Sequence, residues 1–221
     1  MTLHLDALPA ATQRAFEFFS NAKWLADDTW YLAGGTALTL QVGHRSSEDL
    51  DFFTQHKEFS QTSVLNHLSE PDWVTNDMWE GTIYGAYKHA KVSFIAYPFF
   101  VPKAEKIAHG ALSMLSMRDI AVMKIIATSQ RGRKRDFLDL YWYAKNAEPL
   151  LDIILRLPEQ YPTVAHDYQH ILKSMLYFSD ADNDPMPTLF FKADWDEIKS
   201  FFRREIPPIA KRLMGLEENN I

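Results

Sequence analysis

The 221-residue chain has no cysteine. That excludes a disulfide framework, a thiolate-held metal and a cysteine nucleophile, and it fits a reducing compartment. A run of about 18 uncharged apolar residues, the length a membrane-crossing helix needs, is also missing. The opening stretch MTLHLDALPAATQRAF has neither a basic lead nor a long apolar segment, so no secretory signal is expected. These absences together predict a soluble cytoplasmic protein with no membrane partner. Internal repeats and low-complexity segments are absent as well. The eight histidines show no zinc-ligand spacing, and His44, the one near the diglycine and the acids, is expected to be structural or to support a neighbouring site residue rather than to bind a metal. An excess of positive charge is lacking: the net charge is −6, so contact with RNA or DNA would need a local basic patch. What is present is ordinary globular material. Hydrophobic residues make up 47% and aromatics 14%, enough to build a real core and too much for disorder.

The most informative stretch runs from Trp30 to Thr54. Trp30, Tyr31, Leu32 and Ala33 form a short β-favouring run that stops at Gly34-Gly35. Ala37, Leu38, Leu40 and Val42 then follow a brief helical pattern, closed by Gly43. Asp49-Leu50-Asp51-Phe52-Phe53 reads as a buried strand. Residues two apart on a strand share a face, so Asp49 and Asp51 project together while Leu50 and Phe52 enter the core. Two carboxylates side by side call for a cation between them, and a hard divalent ion, Mg2+ or Mn2+, suits oxygen ligands. Gly34 and Gly35 lack Cβ atoms and open a helix, where backbone N–H groups and the helix dipole favour phosphate. A diglycine alone is most often a turn, and D-x-D alone is most often a solvated acid pair. Found in this order, one short helix apart, they point to a triphosphate with its metal.

Gly34-Gly35-Thr36 followed by Asp49-Leu50-Asp51 resembles the signature of the polymerase-β-like nucleotidyltransferase superfamily. The fuller wording, LAGGTAL and then HRSSEDLDFF, resembles the AbiEii/AbiGii-type toxin nucleotidyltransferases. A second block, RDIAVMKIIATSQRGRKRDFLDLYWY from Arg118 to Tyr143, is similar to that family's downstream motifs. The two blocks, 31–53 and 118–143, cover 49 of 221 residues. The resemblance implies an α+β fold: a polymerase-β-like nucleotidyltransferase core with a mixed β-sheet flanked by helices, followed by a helical C-terminal part. The corresponding domains are 1–115 and 116–221, the second contributing to the active site. It also implies transfer of an NMP from an NTP to a hydroxyl acceptor such as a tRNA 3′ end or another RNA, a toxin role, and a separate antitoxin partner. Asp49 and Asp51 would hold the metal. Gly34, Gly35, Thr36, Arg45, Ser47, Lys124 and Arg131 would bind the nucleotide. Asp49, Asp51, Lys124 and Asp136 would form the catalytic set. The superfamily usually places a third carboxylate on the strand after the hairpin, where this chain has Ser93. Glu80, on a different register, and Asp136 are the two substitutes. Ser93 also keeps open a non-catalytic nucleotide-binding or regulatory module. A metal phosphohydrolase is a third reading, for which the histidine ligands are missing.

The rest of the chain supports this frame. Helices are expected from about Pro9 to Ala22 and from Ser60 to Ser69. Strands are expected over Asp72–Asp77, Met78–Tyr87 and Ala90–Tyr97, the last two joined at Lys88-His89. Ser116 caps a helix reaching about Ser129, with Asp119 as its reciprocal partner. Ile120, Met123, Ile126 and Ala127 form its apolar stripe and Lys124 borders it. A lysine there either snorkels to solvent or reaches a phosphate. Arg131 to Arg135 is the strongest local basic patch. Asp136 opens the next helix, with Asp139 on the same side. Residues 150–157 and 164–178 read as helical and 180–185 as a linker. A last helix, Asp194–Arg204, is expected to break at Pro207-Pro208.

Overall fold

The computed structural model describes residues 2–27, 29–69 and 71–215. The chain divides into two compact units, Met1–Ile120 and Ala121–Ile221. Helix α1 (Ala10–Ser20), the short α2 (Trp24–Asp27), β1 (Tyr31–Ala33), α3 (Gly34–Val42), β2 (Leu50–Thr54) and α4 (Gln61–Asn66) come first. They are followed by β3 (Trp73–Trp79), β4 (Thr82–Tyr87), β5 (Ala90–Ala96), β6 (Ile107–His109) and β7 (Leu112–Met114). All seven strands form one mixed sheet in the order β3-β4-β5-β2-β1-β7-β6. The α+β expectation, a mixed sheet flanked by helices, is met.

Alternation in β2 sets the two faces of the sheet. Leu50 and Phe52 are fully buried, while Asp51 and Phe53 on the other face are partly accessible. Phe19 of α1 packs on Phe52 and Phe94, with ring centroids 5.0 and 6.0 Å apart, and Trp30 meets Phe94 at 5.3 Å. Each such ring contributes on the order of 2 kcal/mol by leaving water. The α1 side of the sheet is therefore the core face, and Asp51 stands on the opposite one.

Two strand expectations need correction. The run expected as one strand from Met78 to Tyr87 contains a turn at Glu80-Gly81, where Trp79 pairs with Thr82. Gly81 takes a φ of 71°, the left-handed conformation that a tight hairpin needs and that glycine adopts without strain. Strands β6 and β7 were not expected, because three residues are too few to show a period of two.

Helix α5 (Met117–Arg131) runs across the division between the units. Ser116 accepts the N–H of Asp119 at 3.2 Å, as its capping role requires. Asp119 accepts the backbone N–H groups of Lys103 and Ala104, both at 3.0 Å, and so ties down the loop after β5. The second unit adds α6 (Lys134–Asn146), α7 (Leu150–Leu155), α8 (Leu157–Gln160), α9 (Tyr168–Ser174), α10 (Ser179–Asp182) and α11 (Trp195–Leu213). The expected linker at 180–185 is a clamp. Asp184 accepts from the Arg133 guanidinium at 2.9 Å and from the Lys134 N–H at 3.0 Å, at the start of α6. Asp182 accepts the Trp195 indole N–H at 2.6 Å, at the start of α11.

Pro207-Pro208 does not break the last helix; α11 continues through both. Ile198, Phe201, Phe202, Ile206 and Ile209 are buried along one face, with Phe202 against Phe137 at 5.2 Å. Burial of that stripe outweighs the two lost backbone donors. Both prolines are exposed, so alanine at each position removes the backbone penalty without costing packing. Pro207→Ala with Pro208→Ala is expected to stabilise the protein by about 3 kcal/mol. A thermal denaturation midpoint that fails to rise would contradict this.

Candidate active site

Within the first unit, the diglycine turn and the acidic strand meet. Tyr31, Leu32 and Ala33 pair with Phe53, Phe52 and Asp51 in antiparallel register, which puts Asp51 beside the start of α3. Gly34 has a φ of 73°, and a Cβ built there would lie 2.9 Å from Asp51 Oδ2. Any side chain at position 34 would thus fill the space the carboxylate faces. A Cβ on Gly35 would collide with the Arg45 guanidinium. Gly34 and Gly35 are partly accessible at the start of α3, and the first four N–H groups of a helix have no partner within it.

A hydroxyl relay holds the loop between α3 and β2. Thr36 donates to the carbonyl of Asp49, and its Oγ1 lies 2.8 Å from Ser47 Oγ. Thr36 has a single hydroxyl proton and spends it on Asp49, so Ser47 is the donor in the second contact. Arg45 is buried and donates to the carbonyl of Ser46 at 2.8 Å. Thr36, Arg45 and Ser47 therefore brace the turn and the approach to the acids.

Asp49 lies one residue before β2, not within it as expected. Its direction is still set by the sheet. Strand β5 runs parallel to β2 with Ser93 opposite Asp51. Ser93 donates to Asp51 Oδ1 at 2.7 Å, and Lys91, two residues earlier on the same strand, lies 3.9 Å from Asp49 Oδ1. Both acids thus reach the same face of β5. Glu80 is removed from this place: it sits in the β3–β4 turn, whose Gly81 carbonyl accepts from Ala96, three residues along from Ser93. Ser93 is the residue beside the acid pair, and its hydroxyl orients Asp51. Groups that orient a ligand in this way are worth about 10–100-fold in metal affinity or activity. Ser93→Ala is expected to lower transfer activity about tenfold, with a raised requirement for divalent cation. Unchanged kinetics would remove Ser93 from this role.

In the second unit, Lys124 is buried rather than turned to solvent. It neither borders an apolar stripe nor snorkels. Ala121, Lys124, Ile125 and Thr128 are buried along with Ile126, whereas Met123 and Ala127 are partly accessible, so the buried face of α5 is rotated from the expected stripe. The Lys124 ammonium lies 2.7 Å from Asp136 Oδ1 and 2.7 Å from Asp139 Oδ2. Arg131 adds a bond from Nε to Asp136 Oδ2 at 2.9 Å, with its own side chain half exposed. Asp136 is in the first turn of α6, where the helix dipole also favours its charge. Burial pushes its carboxyl up, but Lys124 and Arg131 together pull harder, and it ends below the usual carboxylate range. A carboxylate so placed is a weak base. Its geometry is that of a group that positions Lys124 and Arg131.

A model of the family described as "Nucleotidyl transferase AbiEii toxin, Type IV TA system" matches residues 20–71 and 99–214. The chain belongs to the AbiEii nucleotidyltransferase toxin family. A protein of Aquifex aeolicus (strain VF5), known only as uncharacterized protein aq_aa25, is 33% identical over 183 residues, covering 80% of this chain and 86% of its own. Among solved structures, a candidate nucleotidyltransferase from H. pylori superposes with a TM-score of 0.53 at 23% identity, over 95% of this chain and 98% of that one. MenT4, the nucleotidyltransferase toxin Rv2826c of Mycobacterium tuberculosis H37Rv, superposes with a TM-score of 0.52 at 13% identity, over 91% and 86%. These two likenesses show the fold; the family match makes the chain a nucleotidyltransferase. The AbiEii match skips residues 72–98, the segment that carries Ser93.

Nucleotidyltransferases of this kind generally use a divalent cation. Among the described residues, no cluster of three or more His, Cys, Asp or Glu side chains is arranged to hold a metal. Asp49, Asp51 and the Ser93 hydroxyl are all hard oxygen donors. They fit an ion that takes one or two carboxylates from the protein and fills its shell with phosphate oxygens and water, as Mg2+ does. Among the described residues, no helix is long and apolar enough to cross a membrane.

Proposed function

We propose that this AbiEii-family nucleotidyltransferase transfers an NMP from an NTP to the 3′ end of a tRNA, using Mg2+ or Mn2+, and that an antitoxin protein restrains it. One observation carries the reading: Asp51 faces the Cβ-free start of α3, with its other oxygen fixed by Ser93. A carboxylate and a row of backbone donors then converge on one place, which is what a metal-bound triphosphate needs. The backbone N–H groups of Gly34, Gly35 and Thr36 hold phosphate oxygens. Asp49 and Asp51 would hold the cation, which would supply charge to offset the triphosphate and make the acceptor hydroxyl more acidic. The acceptor hydroxyl attacks the α-phosphorus and releases its proton to solvent, the bond to the bridging oxygen of the β-phosphate breaks, and pyrophosphate leaves. In the second unit, Arg131 is half exposed, while Lys124 is held by Asp136 and Asp139. Incubating the protein with each α-labelled NTP and total RNA tests the proposal. Label is expected at tRNA 3′ ends and only with divalent cation present. Label on protein, or binding of NTP without transfer to any RNA, would refute it.

A further inference from the structure

A cavity of about 740 Å3 lies on the core side of the sheet, bounded by α1, α2, the end of α4 and the β4–β5 turn. That is the face away from Asp51, since Phe18 of its wall stacks on Tyr87, and Tyr87 in turn lies 5.6 Å from Phe19. The volume is within the range of about 300–1,000 Å3 usual for ligand sites. Two stacked pairs of rings line it. Trp24 and His67 are 4.8 Å apart and tilted by 5°; Phe18 and Tyr87 are 4.2 Å apart and tilted by 20°. Arg14, Lys23 and Lys88 stand around these rings, with Glu17 as the one carboxylate in the lining. Lys88 is shared with Asp72 at 3.0 Å and lies 5.5 Å over the Tyr87 ring. Arg14 and Lys23 are exposed. In a chain of net charge −6, this is a local reversal of sign.

From this geometry we infer that the cavity is a docking site for single-stranded nucleic acid, separate from the catalytic face. Unpaired bases offer a π-face to Trp24, His67 and Phe18, with Tyr87 buried behind Phe18 as its support, and the phosphates between them meet Arg14, Lys23 and Lys88. Flat rings inside a cationic rim are the arrangement that holds single strands without reading sequence. A duplex, whose bases are already stacked on one another, would have nothing to give the rings. An acidic peptide would use the cations and leave the stacked pairs idle. Arg14, Glu17, Phe18, Tyr87 and Lys88 lie outside the residues matched to the family, while Asn21, Ala22, Lys23, Trp24 and His67 lie inside them. Substrate strands held here would be presented from behind the sheet, which sets a minimum length for an acceptor that engages both sites.

The test reads binding alone, without NTP, so it succeeds or fails independently of the transfer reaction. A short fluorescein-labelled oligoadenylate is titrated into the full-length protein and followed by anisotropy. Binding is expected, weakened at least tenfold by Trp24→Ala, and with a shallower salt dependence in Arg14→Glu plus Lys23→Glu. The charge-reversed pair sits on exposed positions, so it remains informative if Trp24→Ala fails to fold. Failure of the wild type to bind, equal affinity in the charge-reversed protein, or equally strong displacement by polyglutamate would each overturn the proposal. So would AMP binding as tightly as the oligonucleotide, which would make the cavity a mononucleotide pocket.

Discussion

Asp51→Asn is expected to slow nucleotidyl transfer by about a thousandfold while leaving the melting temperature nearly unchanged. The substitution is almost isosteric, and the asparagine carbonyl still accepts the Ser93 hydroxyl, which is 2.7 Å from Asp51 Oδ1. What it removes is the negative charge beside the Gly34 turn. Preorganised charge next to a reacting phosphate is worth roughly two to three orders of magnitude per group in enzymes of many kinds. A loss of stability would be the wrong signature, because Asp51 is partly accessible and asparagine keeps both its shape and its contact with Ser93. Asp49→Ala together with Asp51→Ala should abolish transfer. Metal-dependent NMP transfer surviving in that double variant would show that the acid pair is not the cation site. A pre-steady-state assay with saturating NTP separates the chemical step from weakened nucleotide binding.

The second large effect concerns stability. Lys124→Met is expected to cost about 3–5 kcal/mol, the usual result of leaving buried charge without its partner. Asp136 and Asp139 are both fully buried, and each lies 2.7 Å from the lysine ammonium. For a chain of this length the midpoint of thermal unfolding would fall by roughly 10 °C. Replacing all three residues, Lys124→Met with Asp136→Leu and Asp139→Leu, removes charge and partner together and should recover most of the loss. If Lys124 and Arg131 also serve phosphate, the recovered protein folds but stays inactive. A Lys124→Met protein as stable as the wild type would show that the triad is not a structural unit.

The same triad predicts a pH dependence. The folded Asp136 carboxyl sits below its unfolded value of about 4, so it adds stability above that pH and loses it as pH falls through the folded value. The stability gap between the wild type and Lys124→Met should therefore narrow on acidification below about pH 4. A gap that stayed constant to strong acid would mean Asp136 is not held by its cations.

How much of this was readable without a structure follows from the range of each interaction. The β1–α3–β2 stretch was legible because its signals are local. Period two exposed Leu50 and Phe52 as core, Gly34-Gly35 marked the turn, and Gly43 closed the helix with a φ of 61°. Asp49 and Asp51 followed from strand geometry alone, even though the regular strand starts one residue later than expected. Strands of three residues and a proline pair inside a helix lie beyond such signals. In α11 the outcome depended on a buried face packed against α6, which no window of residues around Pro207 contains.

The order of residues by itself determined where carboxylates, glycines and basic groups occur along the chain, and which of them share a strand face. Tertiary structure decided what each one meets. The parallel register of β5 against β2 set Ser93 beside Asp51, and α6 packed against α5 turned Lys124 from a surface lysine into the centre of a buried triad. The physical reason is the same in both cases. Backbone periodicity acts over a few residues, whereas sheet register and helix burial are settled by apolar area gathered from segments 12 to 42 positions apart.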